Sequence, residues 1–177
     1  MYQFESEDWR LMGQDIYGEE GELAGACVGL SGNGTVVAVG SPEYSGHFAF
    51  GGRVQIFAFD GTQWNQTAEI TGNAGTGAGF GNSCSLSRNA SRIVIGAGGA
   101  TVNETTKAGL VQIFDWSSDG IGSSWLQIGQ DLVGDQAQDQ FGFAVALSKD
   151  GTTVAVGANS NDANGVSSGQ VTVYRLR

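Results

Sequence analysis

The sequence is poor in the residues on which most metal sites and nucleic-acid interfaces depend. It has a single histidine, His47, and only 8 lysines and arginines against 18 aspartates and glutamates, which gives a net charge of −10. One histidine excludes a multi-histidine metal site within the chain. The shortage of basic residues argues against nucleic acid as a partner, because phosphate contacts need basic patches. His47 is expected to be an exposed loop residue.

Proline and long apolar runs are also scarce. The chain has 1 proline beside 30 glycines, a ratio typical of many tight turns between short strands. No apolar stretch approaches the ~20 residues that cross a membrane, so no membrane span is expected. The acidic N-terminal sequence MYQFESEDWR has no apolar segment, so no signal peptide is predicted in it. Two alternatives stay open: a signal peptide has been removed from this chain, or the chain is a piece of a longer one.

The chain repeats itself three times. WRLMGQDIYG (9–18) and WLQIGQDLVG (125–134) are close copies, and WNQTAEITG (64–72) is a shorter one. Each is followed by three further segments, as in GFAVALS, VAVG and GQVTVYRL of the last copy. Short segments rich in Val, Ile and aromatics and bounded by Gly, Asn or Ser are typical of β-strands. No segment keeps a helical period, so the sequence predicts an all-β protein.

Four strands per repeat are typical of a β-propeller blade. The predicted units are residues 9–63, 64–124 and 125–177 of a single propeller segment that spans 1–177, and their outer strands are led by Trp9, Trp64 and Trp125. Gly13 and Gly129 predict a bulge in two of these strands that the shorter middle copy lacks. A ring usually needs roughly four to eight blades. The three blades are therefore expected to belong to a larger or oligomeric ring.

The segments FGNSCSLS…IVIGAG and FGFAVALSKDGTTVAVGAN resemble the FG-GAP repeat, the blade unit of integrin-α-type propellers. The resemblance covers nearly the whole chain from Trp9, although Ala24-Gly25 replaces Phe-Gly in the first copy. It implies a non-catalytic module for protein binding, adhesion or assembly, in an extracellular or lumenal location. The implied partners are other proteins or further blades, and a homodimer is one form of this. The alternatives are a structural subunit of a larger complex, and an enzyme or carbohydrate-binding propeller with a site in its central funnel.

Many members of that family bind calcium in an aspartate-rich loop, and this chain departs from that pattern. The corresponding loops SGNGTV, SRNASR and SKDGTT hold one aspartate, Asp150, or none, whereas calcium needs several oxygen ligands. They predict plain hairpin turns in which Asn33-Gly34 and Asp150-Gly151 supply left-handed residues. No cofactor and no catalytic residue are predicted. The remaining calcium candidates lie in ANSNDANG and are Asn159, Asn161, Asp162 and Asn164.

The 2 cysteines, Cys27 and Cys84, make neither a metal site nor a disulfide framework by themselves. They lie one position out of step within equivalent strands. Side chains of successive strand residues alternate between faces, so the two are expected on opposite faces. The sequence therefore predicts two small buried thiols.

The acidic residues are predicted to lie in solvated loops. Glu19, Glu20 and Glu22 form one cluster, and Asp135 and Asp139 lie close together in another. The second pair has the residue types of an acid and a base. No third polar residue nearby indicates a cleft, so solvated loops are the preferred interpretation for both clusters.

Two further features bear on location and contacts. Glycosylation sequons occur at four asparagines, a pattern that suits a secreted protein: Asn33, Asn65, Asn89 and Asn103. Trp116 lies outside the pattern of strand-leading tryptophans, and it is expected either to mark a contact surface or to fill space.

Overall fold

The structure, a computed structural model, describes residues 2–5, 8–46, 50–72, 79–118 and 123–176. None of these residues is helical, and the strands form three larger antiparallel sheets and one N-terminal hairpin. The all-β prediction is confirmed. No helix in the described part of the chain is long and apolar enough to cross a membrane. His47 lies outside the described residues.

Within the described ranges, fourteen strands make up the four sheets. The hairpin pairs β1 (Tyr2–Glu5) with β2 (Asp8–Leu11). Sheet I contains, in spatial order, β3 (Cys27–Leu30), β4 (Val36–Ser41), β5 (Arg53–Phe59) and β6 (Trp64–Thr71). Sheet II contains β7 (Ser83–Leu86), β8 (Arg92–Ala97) and β9 (Leu110–Ser118), whose outer edge pairs with both β10 (Ser123–Gln127) and β11 (Leu132–Val133). Sheet III contains β12 (Phe141–Leu147), β13 (Thr153–Ala158) and β14 (Gln170–Arg175).

The three sheets share one register. Val37 pairs with Phe57 in sheet I, and the equivalent pairs are Ile93 with Phe114 and Val154 with Tyr174. Each pair comes from the second and third strands of its sheet, which the repeat alignment places at the same positions. Any residue of one sheet can therefore be compared with its equivalents in the other two.

The tryptophan-led strands lie at the outer edges of sheets I and II. Trp64 pairs with Phe59 of β5, and Trp125 pairs with Trp116 of β9. The ring centroids of these pairs are 5.0 Å and 5.6 Å apart. Trp116 thus occupies the same position of the repeat as Phe59. It does not lead a strand, but it packs against a tryptophan that does. The strand that contains Trp9 pairs with β1, and sheet III has three strands among the described residues.

The sheets stack so that the front face of each packs on the back face of the next. Val54 and Ile56 on the front of sheet I share a core cluster with Ile93 and Ile95 on the back of sheet II. Sheets II and III repeat this arrangement, and their shared cluster contains Val111, Ile113, Val154 and Val156. The buried core therefore lies between sheets, which explains why the strands are apolar on both faces.

The pairing with β9 is interrupted at Gly129, between β10 and β11, as a bulge there predicts. Gly13 lies after the end of β2 and outside the strands, so the bulge predicted there stays a prediction, and the middle copy also has a bulge. Gly13 and Gly129 adopt left-handed φ values of 70° and 68°, as expected of bulge glycines. In β6 the register shifts so that Thr67 has no partner across the strand, and its hydroxyl donates a hydrogen bond to the carbonyl of Ile56 at 3.2 Å. The prediction that the middle copy lacks a bulge was wrong, because a threonine hydroxyl stabilises a bulge without a left-handed glycine.

Candidate functional site

The front face of sheet III is apolar and open to solvent. Val171 is 72% exposed and Val173 is 63% exposed. Their equivalents in sheets I and II are at most 5% exposed, because the next sheet covers them: Val54, Ile56, Val111 and Ile113. The front face of sheet III is therefore exposed, although the equivalent front faces of sheets I and II are both buried.

The back face of sheet I is the opposite end of the stack and is partly open. Val28 is 64% exposed and Leu30 is 48% exposed. Val37 and Val39 on the same face are buried, and Ile16 packs against them beside Trp64. The N-terminal segment thus covers the outer half of this face and leaves the inner half exposed.

A groove on the front of sheet III has a counterpart in each occupied junction. It has a volume of about 330 Å³ and is lined by residues that include Gly157, Gly169 and Phe143. In sheet I the equivalent glycines are Gly40 and Gly52, and backbone from the next repeat occupies the space beside them. A Cβ on Gly40 would overlap the carbonyl of Gly81, and a Cβ on Gly52 would overlap the carbonyl of Phe80.

The junction between sheets II and III repeats this contact. A Cβ on Gly96 or Gly109 would overlap a backbone carbonyl of Phe141–Gly142. The Phe-Gly pair of each repeat therefore places its backbone in the groove of the preceding sheet, which only glycine leaves wide enough. In the groove of sheet III, the described atoms nearest to the Cβ positions of Gly157 and Gly169 belong to sheet III itself and its own loop.

Three equivalent hairpin turns line up at one end of the stack and carry the same hydrogen-bond network. In the first, Asn33 Oδ1 accepts hydrogen bonds from the Ser31 hydroxyl at 2.8 Å and from the amide and hydroxyl of Thr35 at 3.2 Å and 2.9 Å. Asn89 and Asp150 do the same in the other turns. Hydrogen bonds from Ser148 and Thr152 lower the pKa of Asp150.

These turns were predicted correctly as hairpins, but the asparagine and aspartate do not supply left-handed residues. The left-handed positions are Gly34, Ala90 and Gly151, with φ of 74°, 55° and 73°. Each is the last residue of its turn, and its amide donates the i+3 to i backbone hydrogen bond that closes the turn. This arrangement forms a glycine-type bulge. Asn33 and Asp150 act through their side chains, because an Asx oxygen readily accepts nearby backbone amides.

The three turns enclose a shallow cavity of about 420 Å³. The amide of Gly32 donates to the carbonyl of Arg88 at 2.8 Å, and the amide of Arg88 donates to the carbonyl of Lys149 at 2.9 Å. The side chains of Arg88 and Lys149 are exposed at its rim. These backbone bonds fix the spacing of the sheets at this end of the stack.

The two cysteines form a disulfide, and the prediction of free thiols was wrong. Cys27 lies on the front of sheet I and Cys84 on the back of sheet II, with their Cα atoms 5.7 Å apart. Their opposite faces were predicted correctly from the one-residue offset. Because the front of one sheet packs on the back of the next, opposite faces of equivalent strands are the faces that meet.

The acidic cluster near residue 20 is not fully solvated. Glu22 is 2% exposed, and its carboxylate lies 2.7 Å from a guanidinium nitrogen of buried Arg53. Arg53 also pairs with Glu19 at 3.0 Å and Glu69 at 3.1 Å, and it lies 3.9 Å from the ring centre of Tyr44. Burial lowers the pKa of Arg53, but the hydrogen bond with Glu19 and the surrounding carboxylates outweigh it and raise the pKa overall. A buried cation requires such partners, and this explains why Glu22 is buried.

The calcium candidates lie in a loop whose side chains contact the protein itself. Asn161 is buried, and it accepts a hydrogen bond from the amide of Ala163 at 3.0 Å and donates one to Asp139 at 2.9 Å. Asp162 accepts from the amide of Ser167 at 2.6 Å. In the remaining pair, the Asn159 side chain accepts from Ser160 and the Asn164 amide donates to Ser168. Calcium binding by this loop stays a prediction.

The structure also locates the second acidic pair. Asp135 is exposed, whereas Asp139 is buried because its carboxylate accepts from Asn161 and from the amide of Gln136. The prediction of a solvated acid was therefore wrong for Asp139. Within the described residues, no three His, Cys, Asp or Glu side chains are grouped so that they could hold a metal ion.

Known proteins were compared with the chain by sequence and by structure, and one family model matches part of its repeat. No curated protein matches the chain. Among solved structures, the chain is similar to Sqt1 from Chaetomium thermophilum, with 17% identity over 87% of this chain and a TM-score of 0.49, and it spans 36% of that chain. Residues 134–174 match the FG-GAP repeat family model. This segment contains β12, β13 and all but the last residue of β14, and it identifies an FG-GAP repeat in the chain.

Proposed function

We propose that the chain is a non-catalytic protein-binding module that serves in adhesion or assembly. The observation that carries this proposal is the open front face of sheet III, where Val171 and Val173 are exposed although their equivalents are buried in sheets I and II. Contiguous exposed apolar surface on an otherwise polar protein marks an interaction site. The partner is a protein, because protein backbone fills the equivalent grooves of sheets I and II, and the exposed valines form an open sheet face and not a pocket that encloses a small ligand.

The finer architecture in this proposal is a series of three β-propeller blades. Support comes from the order of strands in sheet I, where the first strand of the repeat lies at one edge and the tryptophan-led strand at the other. The same order recurs in sheet II, and the sheets face one another as blades do. Three blades are fewer than the roughly four to eight of a ring. The proposal therefore includes further blades from another chain or from a longer parent chain.

An extracellular or lumenal location is part of the same proposal. The disulfide between Cys27 and Cys84 supports it, because disulfides persist in oxidising compartments and are rare in the cytosol. Among the sequon asparagines, Asn33 and Asn89 lie in the exposed hairpin turns. Glycosylation at these positions stays a prediction.

Site-specific photo-cross-linking tests the proposal. A benzophenone amino acid at position 173 should yield a covalent adduct with a protein when the chain is irradiated in its native setting. The same group at position 166 is the control, because Val166 is 92% exposed, lies in the loop between β13 and β14 and does not line the groove. Mass spectrometry of the adducts identifies the partner. Equal yields at both positions, or no protein adduct at position 173, would contradict protein binding through this face.

A further inference from the structure

The two junctions within the chain define what fits on the open face of sheet III. In both, the occupant is the back face of a sheet with a left-handed glycine at or just before the start of its first strand: Gly81 at 85° and Gly142 at 86°. The equivalent residue in sheet I is Gly25, with a φ of 94°. Among the residues that the structure describes, no other group lies within 4 Å of the Cβ position of Gly25. Sheet I therefore presents the same inserting backbone with nothing bound to it.

The replacement of Phe by Ala24 does not remove the part that inserts. A Cβ on Gly52 would overlap the carbonyl of Phe80, so the groove receives backbone from this position. The phenyl ring of Phe141 has its centroid 6.4 Å from that of Tyr174 in its own sheet and also belongs to the core cluster with Val111 and Ile113 of the preceding sheet. The alanine therefore keeps the inserting backbone and loses part of the apolar contact. Ala24 offers the same carbonyl to a neighbouring groove as Phe80 and Phe141 do.

The N-terminal segment holds the position of an outer strand next to the back of sheet I. Ile16 packs on Val37 and Val39, as Leu132 of the outer strand of sheet II packs in the cluster of Val154 and Val156. Two hydrogen bonds hold the segment there. The side-chain Nε2 of Gln14 donates to the backbone carbonyl of Trp64 at 2.7 Å, and its Oε1 accepts from the backbone amide of Trp64 at 3.0 Å.

Sheet III has the edge that this segment would complete. In sheet II, Leu132 pairs with Val111 and Val133 pairs with Leu110. The equivalent pairs are Ile16 with Val171 and Tyr17 with Gln170. In the chain itself β14 pairs with β13 alone among the described strands. Among the described residues, a segment with the sequence of an outer strand thus lies at one end of the stack, and a sheet of three strands lies at the other.

We propose that the front face of sheet III binds the back face of sheet I of a second copy of this chain. Ala24–Gly25 of the second copy enters the groove at Gly157 and Gly169, and its Ile16–Tyr17 lies beside β14. The inference rests on the proposed function, since it names the protein that the open face binds. Such a contact joins different surfaces of the two copies, and making it at both ends closes a ring of two copies.

A single methyl group tests the groove. Gly157→Ala places a Cβ in ordinary contact with Ala144 of its own sheet, so the fold should be kept and the melting temperature at low concentration unchanged. In the dimer that methyl would meet the inserted backbone. Sedimentation velocity over a concentration series should show self-association of the natural sequence and a Kd weakened by about tenfold or more in the variant. Val166→Ala, an exposed change outside the groove, is the control and should associate normally.

A disulfide trap tests the orientation. The Cys27–Cys84 pair joins the front of one sheet to the back of the next with a Cα separation of 5.7 Å, and the equivalents at the proposed interface are Ala144 and Val28. The double variant Ala144→Cys/Val28→Cys should give cross-linked chains on non-reducing gels, with a 28–144 linkage in the mass spectrum. Either single variant should give none, because the contact does not bring the same position of two copies together.

The outcomes separate this inference from the proposed function. A chain that remains monomeric at every concentration, and whose double cysteine variant does not cross-link, overturns the second-copy interface. If position 173 then cross-links to a different protein, protein binding is retained and only the identity of the partner is wrong. If position 173 cross-links to no protein at all, both are overturned.

Discussion

At the scale of the residue, one side chain organises each hairpin turn. Asn33, Asn89 and Asp150 accept hydrogen bonds from the residues two before and two after them. Short sequence signals such as Asn-Gly predict that a turn exists. They do not predict which residue is left-handed, because that depends on whether the side chain accepts backbone amides.

Asp150 should make the stability of its turn depend on pH. Its pKa is lowered by hydrogen bonds from Ser148 and Thr152, so its contribution is present above the ordinary aspartate pKa of about 3.9 and is lost as the pH falls towards the lowered value. Asp150→Asn copies the residue of the other two turns. It should keep most of the stability at pH 7 and remove this pH dependence.

Chemical denaturation at pH 7 and pH 3 measures both effects. Asp150→Ala is the matched comparison, since it removes the acceptor altogether and should be less stable than the asparagine variant at pH 7. Equal destabilisation by asparagine and alanine would show that the hydrogen bonds of the side chain do not stabilise this turn.

At the scale of the element, the strands and their register could be predicted because the sequence states them three times. The equivalence of Val37, Ile93 and Val154 follows from spacing alone and is confirmed by their partners. The contacts between sheets could not be predicted in the same way. The one-residue offset of Cys27 and Cys84 predicts that they lie on opposite faces of their sheets. Only the stacking of the front of one sheet on the back of the next brings those two faces, and the two cysteines, together.

Gly96 should be among the least replaceable residues of the sheets. A Cβ at this position would overlap the carbonyl of Gly142 in sheet III and the Ser83 hydroxyl that donates a hydrogen bond to that carbonyl. Gly96→Ala, made in a Ser83→Ala background so that only the clash with sheet III remains, should therefore lower the free energy of unfolding by about 1–3 kcal/mol, the usual cost of overpacking. Gly157→Ala, at the equivalent position with no sheet beyond it, should change it little. Urea denaturation of both variants at low concentration makes the comparison. Equal losses would contradict the view that the neighbouring sheet, and not the strand itself, requires the glycine.

At the scale of the molecule, each of the three sheets packs on the next in a row, and different interactions stabilise the two junctions. The junction of sheets I and II contains the disulfide. The junction of sheets II and III has hydrogen bonds at equivalent places: Ser83 donates to the carbonyl of Gly142 at 2.8 Å, and Arg92 donates to that of Gly151 at 2.6 Å. In such an array the stability of each unit depends on its interface. Loss of one junction should therefore free one end of the stack before the other.

The variant Cys27→Ser/Cys84→Ser should expose this hierarchy. A disulfide that spans 57 residues of sequence typically contributes about 2–4 kcal/mol by restricting the unfolded chain. Hydrogen exchange measured by mass spectrometry should show reduced protection first in residues 27–71, while residues 141–175 keep theirs. Ser83→Ala at the other junction is the control, with an expected cost of about 1 kcal/mol for one hydrogen bond and its effect confined to sheets II and III. If both variants lowered protection evenly through all three sheets, the stack would unfold as one cooperative unit, and the disulfide would stabilise sheet III as much as sheet I.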